Sequence, residues 1–203
     1  CACASGVGAT GSGPGSSRGC SLDNSGCGGA GYGGRGGDGT TTSGGIAYGS
    51  ITAPVDFGSG SGDCNGEDGG NGGGTIFINA SDTLIVNGSI IANGINGTGP
   101  GAGGEAGGGG SGGSIWLIAT TFAGNGSINA SGGLGGDSST GDGGGGAGGR
   151  IAVYYTTRTF NGVIQSFGGR LVSQVGGAGT IFLRQNAQTY GDLIVNNNNV
   201  IGA

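Results

Sequence analysis

One five-residue pattern returns four times along this chain: Gly74-Thr75-Ile76-Phe77-Ile78, Gly113-Ser114-Ile115-Trp116-Leu117, Gly149-Arg150-Ile151-Ala152-Val153 and Gly179-Thr180-Ile181-Phe182-Leu183. Ile76, Ile115, Ile151 and Ile181 form one column; Ile78, Leu117, Val153 and Leu183 form a second, two residues on. A period of two puts both columns on one buried face of a strand. Phe77, Trp116, Ala152 and Phe182, lying between them, then point to the other face. The copies are spaced 39, 36 and 30 residues apart. Each is followed by a second landmark: Gly88-Ser89-Ile90, Gly126-Ser127-Ile128, Gly162-Val163-Ile164 and Gly191-Asp192-Leu193. Columns of like residues at long spacing predict stacked coils that bury their inward faces only against one another. An antiparallel sandwich also has short strands and frequent turns, but it gives no reason for the columns.

In the second strand Ile90, Ile128 and Ile164 recur, with the small Ala92, Ala130 and Ser166 two residues on and Ile91, Asn129 and Gln165 facing outward. Between coils lie glycine tracts at residues 94–113, 132–149 and 168–179. Glycine makes up 61 of 203 residues, against roughly 7% in ordinary proteins. With no Gly-X-Y register and three prolines, collagen is excluded. A chain so poor in large side chains cannot fill a thick core, so a thin, layered one is expected. The tracts read either as flexible linkers or as extended, polyproline-II-like runs in which backbones pack closely for want of a β-carbon, and their regular placement favours the ordered reading.

Five cysteines, Cys1, Cys3, Cys20, Cys27 and Cys64, all lie in the first third, where hydrophobic periodicity is absent. Disulfides stabilise such core-poor segments in oxidising compartments. With no CxxC and no histidine, the spacing does not suggest zinc. An odd count leaves one thiol free, bonded to another chain, or paired outside this sequence. A chain that opens at Cys1 without methionine reads as a processed or partial product. The domain organisation expected is therefore a Cys/Gly-rich, irregular covering segment over residues 1–70 and a glycine-rich solenoid of about four coils, right-handed, over residues 71–203.

Asn-x-Ser/Thr sequons occur at Asn79, Asn87, Asn96, Asn125 and Asn129, none with proline in the middle. The strand alternation turns Asn79 and Asn129 outward, Asn87 and Asn125 share one turn, and Asn96 begins a glycine tract. All five are expected at the surface, as N-linked glycans require. The equivalent turn at Asn161-Gly162-Val163 carries no sequon.

The segments Asp56-Phe57-Gly58-Ser59-Gly60, Gly110-Ser111-Gly112-Gly113-Ser114-Ile115 and Gly148-Gly149-Arg150-Ile151-Ala152-Val153-Tyr154-Tyr155, with residues 72–78, resemble a glycine-rich repeat of large extracellular proteins of bacteria, plants and protists. The resemblance covers residues 54 to 195 and implies a β-helical surface protein without catalytic residues.

Charge and composition exclude several functions. The basic residues are six arginines with no lysine or histidine, against eleven carboxylates, for a net charge of −5. Such a chain lacks the clustered cations that nucleic acid requires. No apolar run reaches the length of a membrane span. Ser-His-Asp and Cys-His sites are impossible without histidine. Carboxylate pairs could come only from glycine-rich loops, at Asp63, Glu67 and Asp68 or at Asp137 and Asp142, where acids serve as turn formers. Arg150, at a strand start, is the position a lyase reading would use, but fold analogy alone does not support it. The chain is read as a non-enzyme with no required cofactor.

Two binding readings remain as alternatives. Residues 33–38 and 132–137 match the first six positions of a calcium-binding nonapeptide repeat, but lack its next apolar anchor and are not tandem. Thr40-Thr41-Thr42, Thr120-Thr121 and Thr156-Thr157 could form an ice- or carbohydrate-binding array, although the pairs do not share a register across all coils. The leading expectation is a structural subunit of an extracellular, N-glycosylated fibre or surface layer. It is motivated by strand-like sequence through Ile194-Val195 to Val200-Ile201 without a polar cap, which predicts head-to-tail pairing with further copies.

Overall fold

Branched side chains alternate with polar or aromatic ones in runs of three to six residues, and glycine stands before most of the runs, so short strands form and helices do not. The computed structural model describes residues 8–21, 24–99, 104–170 and 174–202; these contain eleven strands and no helix. The first tier is β1 (Thr75–Asn79), β2 (Thr83–Ile85) and β3 (Ser89–Ile91). The second is β4 (Ser114–Ile118), β5 (Thr121–Gly124) and β6 (Ser127–Asn129). The third is β7 (Arg150–Tyr155), β8 (Thr157–Phe160) and β9 (Val163–Gln165). β10 (Thr180–Gln185) begins a fourth, and β11 (Asp192–Ile194) follows it.

Corresponding strands pair in parallel into three sheets, β1-β4-β7-β10-β11, β2-β5-β8 and β3-β6-β9. The register is the column alignment of the sequence: Ile76 lies opposite Ile115, Ile115 opposite Ile151, and Ile151 opposite Ile181. Ile90, Ile128 and Ile164 likewise align. Inside, Ile115, Leu117, Phe122, Ile128 and Ile151 are fully buried. Each contributes about 1.5–3 kcal/mol of transfer free energy. Phe160 stacks on Phe122 with ring centroids 4.5 Å apart.

Two features differ from the sequence expectation. Each tier has three strands rather than two, because β2, β5 and β8 intervene; they share only a leading threonine, too little to form a visible column. The equivalence of Gly191-Asp192-Leu193 with the earlier second landmarks also fails. β11 turns back and pairs antiparallel with β10, Ile194 opposite Ile181 and Leu193 opposite Phe182. The connection through residues 186–191 carries the chain back along the β10 edge instead of round the tier.

The described residues of the glycine tracts form a hydrogen-bonded layer. A line of amide-to-carbonyl bonds runs from tract to tract: Gly110 donates to Ile95, Gly133 to Gly110, Gly146 to Gly133, Gly169 to Gly146 and Gly176 to Gly169, at 2.7–3.0 Å. Residues 26–37 enter the same layer, with Ala30 donating to Gly109 and Ala147 donating to Ala30. Residues 106–113 and 143–149 are buried. At most tract positions a β-carbon would come closer than 3.0 Å to a neighbouring backbone atom, so the spacing of this layer is possible only for glycine.

Candidate assembly surfaces and modification sites

The two ends of the stack differ from its middle. β1, β2 and β3 are all edge strands, with one tier-side each unpaired. Ile76, Ile78, Leu84 and Ile90 are only partly buried, although their second-tier equivalents are fully or largely enclosed. Phe77, Ile85 and Ile91 are 53%, 62% and 56% exposed. At the opposite end β8 and β9 are edge strands too, while β11 covers β10. There Ile164, Phe167, Ile181, Leu183 and Ile194 line a hollow at the mouth of the core. Both ends therefore present apolar side chains beside unpaired strand edges.

Residues 48–57 cross the outward face of the large sheet and are tied to it. Arg150, buried at the start of β7, donates from Nε to the Tyr48 carbonyl at 2.8 Å and from Nη1 to Thr180 Oγ1 at 3.1 Å. Its guanidinium lies 5.5 Å from the centroid of the Tyr32 ring. The Tyr32 hydroxyl pairs with Ser114 Oγ at 2.6 Å, Ser114 Oγ donates to the Asp56 carbonyl at 2.6 Å, and the Tyr154 hydroxyl donates to the Thr52 carbonyl at 2.7 Å. Burial lowers the Arg150 pKa, opposed by Tyr32, Asp56 and Tyr48. Burial also raises the Tyr32 phenol and pushes Tyr48 up to about 12. Arg150 is thus a clamp for the covering segment. The small Ala152 interrupts the outward aromatic column, and Tyr154 bridges it, its ring lying between Trp116 and Phe182 at 6.5 and 5.8 Å. Phe77 extends this aromatic row, 4.9 Å from Trp116. The Trp116 indole nitrogen is buried and has no hydrogen-bond partner among the described residues, whereas Phe77 is left open.

Sequence spacing gave no sign that Cys20, Cys27 and Cys64 converge. Their sulfurs lie within 4.8 Å of one another, buried, the one such group of potential metal ligands among the described residues. Cα separations of 4.6 Å for Cys20–Cys64 and 6.1 Å for Cys20–Cys27 both suit a disulfide, and Cys20 can hold one partner at a time. Carbonyls face the sulfurs: Cys27 Sγ donates to Asp63 O at 3.2 Å and Cys64 Sγ to Ser25 O at 3.5 Å. Carbonyl acceptors suit thiols or a disulfide better than the thiolates a metal needs. Cys1 and Cys3 lie outside the described residues.

Of the sequon asparagines, Asn79, Asn87, Asn96 and Asn125 are exposed, whereas Asn129 is half-buried. Asn87 Oδ1 accepts from the Asn125 amide at 3.3 Å and Asn96 Oδ1 from the Leu134 amide at 2.9 Å, and these bonds use only the side-chain oxygen. Asn129 Oδ1 accepts from the hydroxyl of its own sequon serine, Ser131, at 2.6 Å.

No group of three or more carboxylates converges among the described residues. Asp38 is bonded to Arg35 and accepts from the Gly44 amide at 2.8 Å, so its carboxyl falls below its usual pKa, chiefly through that amide. Asp63 is buried and accepts from the Gly69 amide at 2.9 Å. Of the candidate threonines, Thr121 and Thr157 align across β5 and β8, and Thr83 extends the row into β2, while Thr40, Thr41 and Thr42 lie in no strand. The register was hidden because the first tier offers a single threonine. No protein-family model matches the chain, and comparison with curated proteins and with solved structures finds no match.

Proposed function

We propose that this chain is a structural subunit that assembles end to end into an extracellular, N-glycosylated fibre, its three tiers acting as coils of a parallel β-solenoid. The observation that carries the reading is the unpaired strand edges at both ends of the stack, beside the partly buried Ile76, Ile78, Leu84 and Ile90 at one end and Ile164 at the other. Identical units joined by two different end surfaces give an open filament unless their rotation closes a ring. The rest of the structure suits a building material. The glycine layer and the Arg150 clamp rigidify the unit, and Asp38 and Asp63 are held by backbone amides of their own loops. Three convergent, disulfide-capable cysteines and five sequons favour an oxidising, glycosylating route of export. Analytical ultracentrifugation over a concentration series tests the reading: growth into long polymers supports it, and a single-chain species at every concentration defeats it.

The aligned threonines favour a second reading, a surface module that binds an ordered carbohydrate. Thr83, Thr121 and Thr157 repeat at the strand spacing of roughly 4.8 Å on one sheet. Retention on insoluble polysaccharide, lost on Thr121→Val with Thr157→Val, supports it; equal retention of wild type and variant defeats it.

A further inference from the structure

Within the stack, the second and third tiers need glycine at two places, and the fourth at one, because the tier before is so close. A β-carbon on Gly113 would strike the Gly74 carbonyl, one on Gly149 the Gly113 carbonyl, and one on Gly179 the Gly149 carbonyl. In the second column Gly126 meets the Gly88 carbonyl and Gly162 the Gly126 carbonyl. The first members of both columns, Gly74 and Gly88, have nothing within 4 Å of the β-carbon position and do not have positive φ. Nothing in this chain requires glycine there. A further tier beneath β1–β3 would.

The sequence of the fourth tier matches the first more closely than it matches its neighbours. Gly179-Thr180-Ile181-Phe182-Leu183 shares four of five residues with Gly74-Thr75-Ile76-Phe77-Ile78, and Leu193-Ile194-Val195-Asn196 is identical to Leu84-Ile85-Val86-Asn87. In the free chain the latter segment is poorly housed. It forms β11 antiparallel to β10, with Val195 62% and Ile201 95% exposed. The tier-to-tier bonds supply the rule for extension. The Ser114, Arg150 and Thr180 amides donate to the Gly74, Gly113 and Gly149 carbonyls, and the Asn125 amide donates to Asn87 Oδ1.

We propose that the fourth tier of one copy docks beneath the first tier of the next, with its C-terminal segment released from β10 to run parallel under β2. This deepens the end-to-end reading and rests on it. Thr180 then faces Thr75, Phe182 faces Phe77, Leu193 faces Leu84, and Asn196 Oδ1 accepts from the Asn87 amide as Asn87 does from Asn125. The Gly179 carbonyl occupies the space beside Gly74. Asn87 Nδ2 stays outward, so a glycan there is compatible with the joint. The partner is a second copy because like-on-like columns are what the existing tiers stack through.

Two measurements on the full chain test this. Copies carrying Asn87→Cys are mixed with copies carrying Asn196→Cys during assembly, oxidised, and mapped by peptide mass spectrometry; a bridge between positions 87 and 196 is expected. Gly74→Ala with Gly88→Ala is expected to leave the melting temperature of the dispersed subunit unchanged while filaments are lost. Filaments assembled from the mixed cysteine copies that lack the bridge, or filaments that form equally well from the double-alanine variant, overturn this docking and leave end-to-end assembly standing. Absence of wild-type filaments overturns both. Should the alanines disturb folding, the bridge alone decides.

Discussion

Gly113 and Gly149 stand one above the other where β4 and β7 begin, so close that a β-carbon on Gly149 would lie within 3.0 Å of the Gly113 carbonyl oxygen. The same crowding joins Gly110 and Gly146 in the glycine layer. Gly146→Ala is therefore expected to destabilise the subunit by about 1–3 kcal/mol, the usual cost of overpacking, because only backbone could give way. Urea unfolding measures it. An unchanged midpoint would mean the layer is looser than these contacts imply.

Arg150 holds the Tyr48 carbonyl, Thr180 and the Tyr32 ring together. Arg150→Met keeps the bulk and strands those acceptors. A loss of about 1–3 kcal/mol per unsatisfied buried group is expected. The first consequence should be release of residues 48–57, seen as new protease cleavage there while the tiers remain intact. Cleavage spread evenly along the chain would contradict the clamp.

Tyr48, raised to about 12 chiefly by burial, and Tyr32, raised for the same reason, bind their protons more tightly folded than unfolded. An unfolded tyrosine titrates near 10. Their contribution is therefore complete below pH 10 and lost as pH rises through 12. Thermal stability should fall across that window, less steeply in Tyr48→Phe. A flat profile from pH 10 to 12 would contradict the buried placement of both rings.

Glycopeptide mass spectrometry of material from its native source should find sugar on Asn79, Asn87, Asn96 and Asn125, with lower occupancy at Asn129. Asn129 is half-buried and its side-chain oxygen is held by Ser131. Unmodified asparagine at all five positions would remove the glycoprotein reading.

What the sequence disclosed follows from how each feature is encoded. The columns through Ile115 and Ile151 were legible because stacking in parallel register demands like residues at like places. The all-β class followed from the same alternation. The middle strands were hidden: Leu84, Phe122 and Arg158 occupy one register position with three unlike side chains. The antiparallel return of β11 was hidden because Leu193-Ile194-Val195 has the composition of a parallel tier strand, and only the path of residues 186–191 reverses it. The meeting of Cys20, Cys27 and Cys64 is set by long-range bonds such as Cys20 N to Asp63 O and Cys27 N to Ala106 O, for which no local spacing exists.

End-to-end assembly through unfinished tiers is tested most directly by electron microscopy of the full chain at high concentration. The account predicts unbranched filaments whose averaged images show an axial spacing of about 4.8 Å, continuous across subunit boundaries, because tiers stack between copies as they do within one. Discrete particles of single-chain size, or filaments whose strands run along the axis instead of across it, would contradict it.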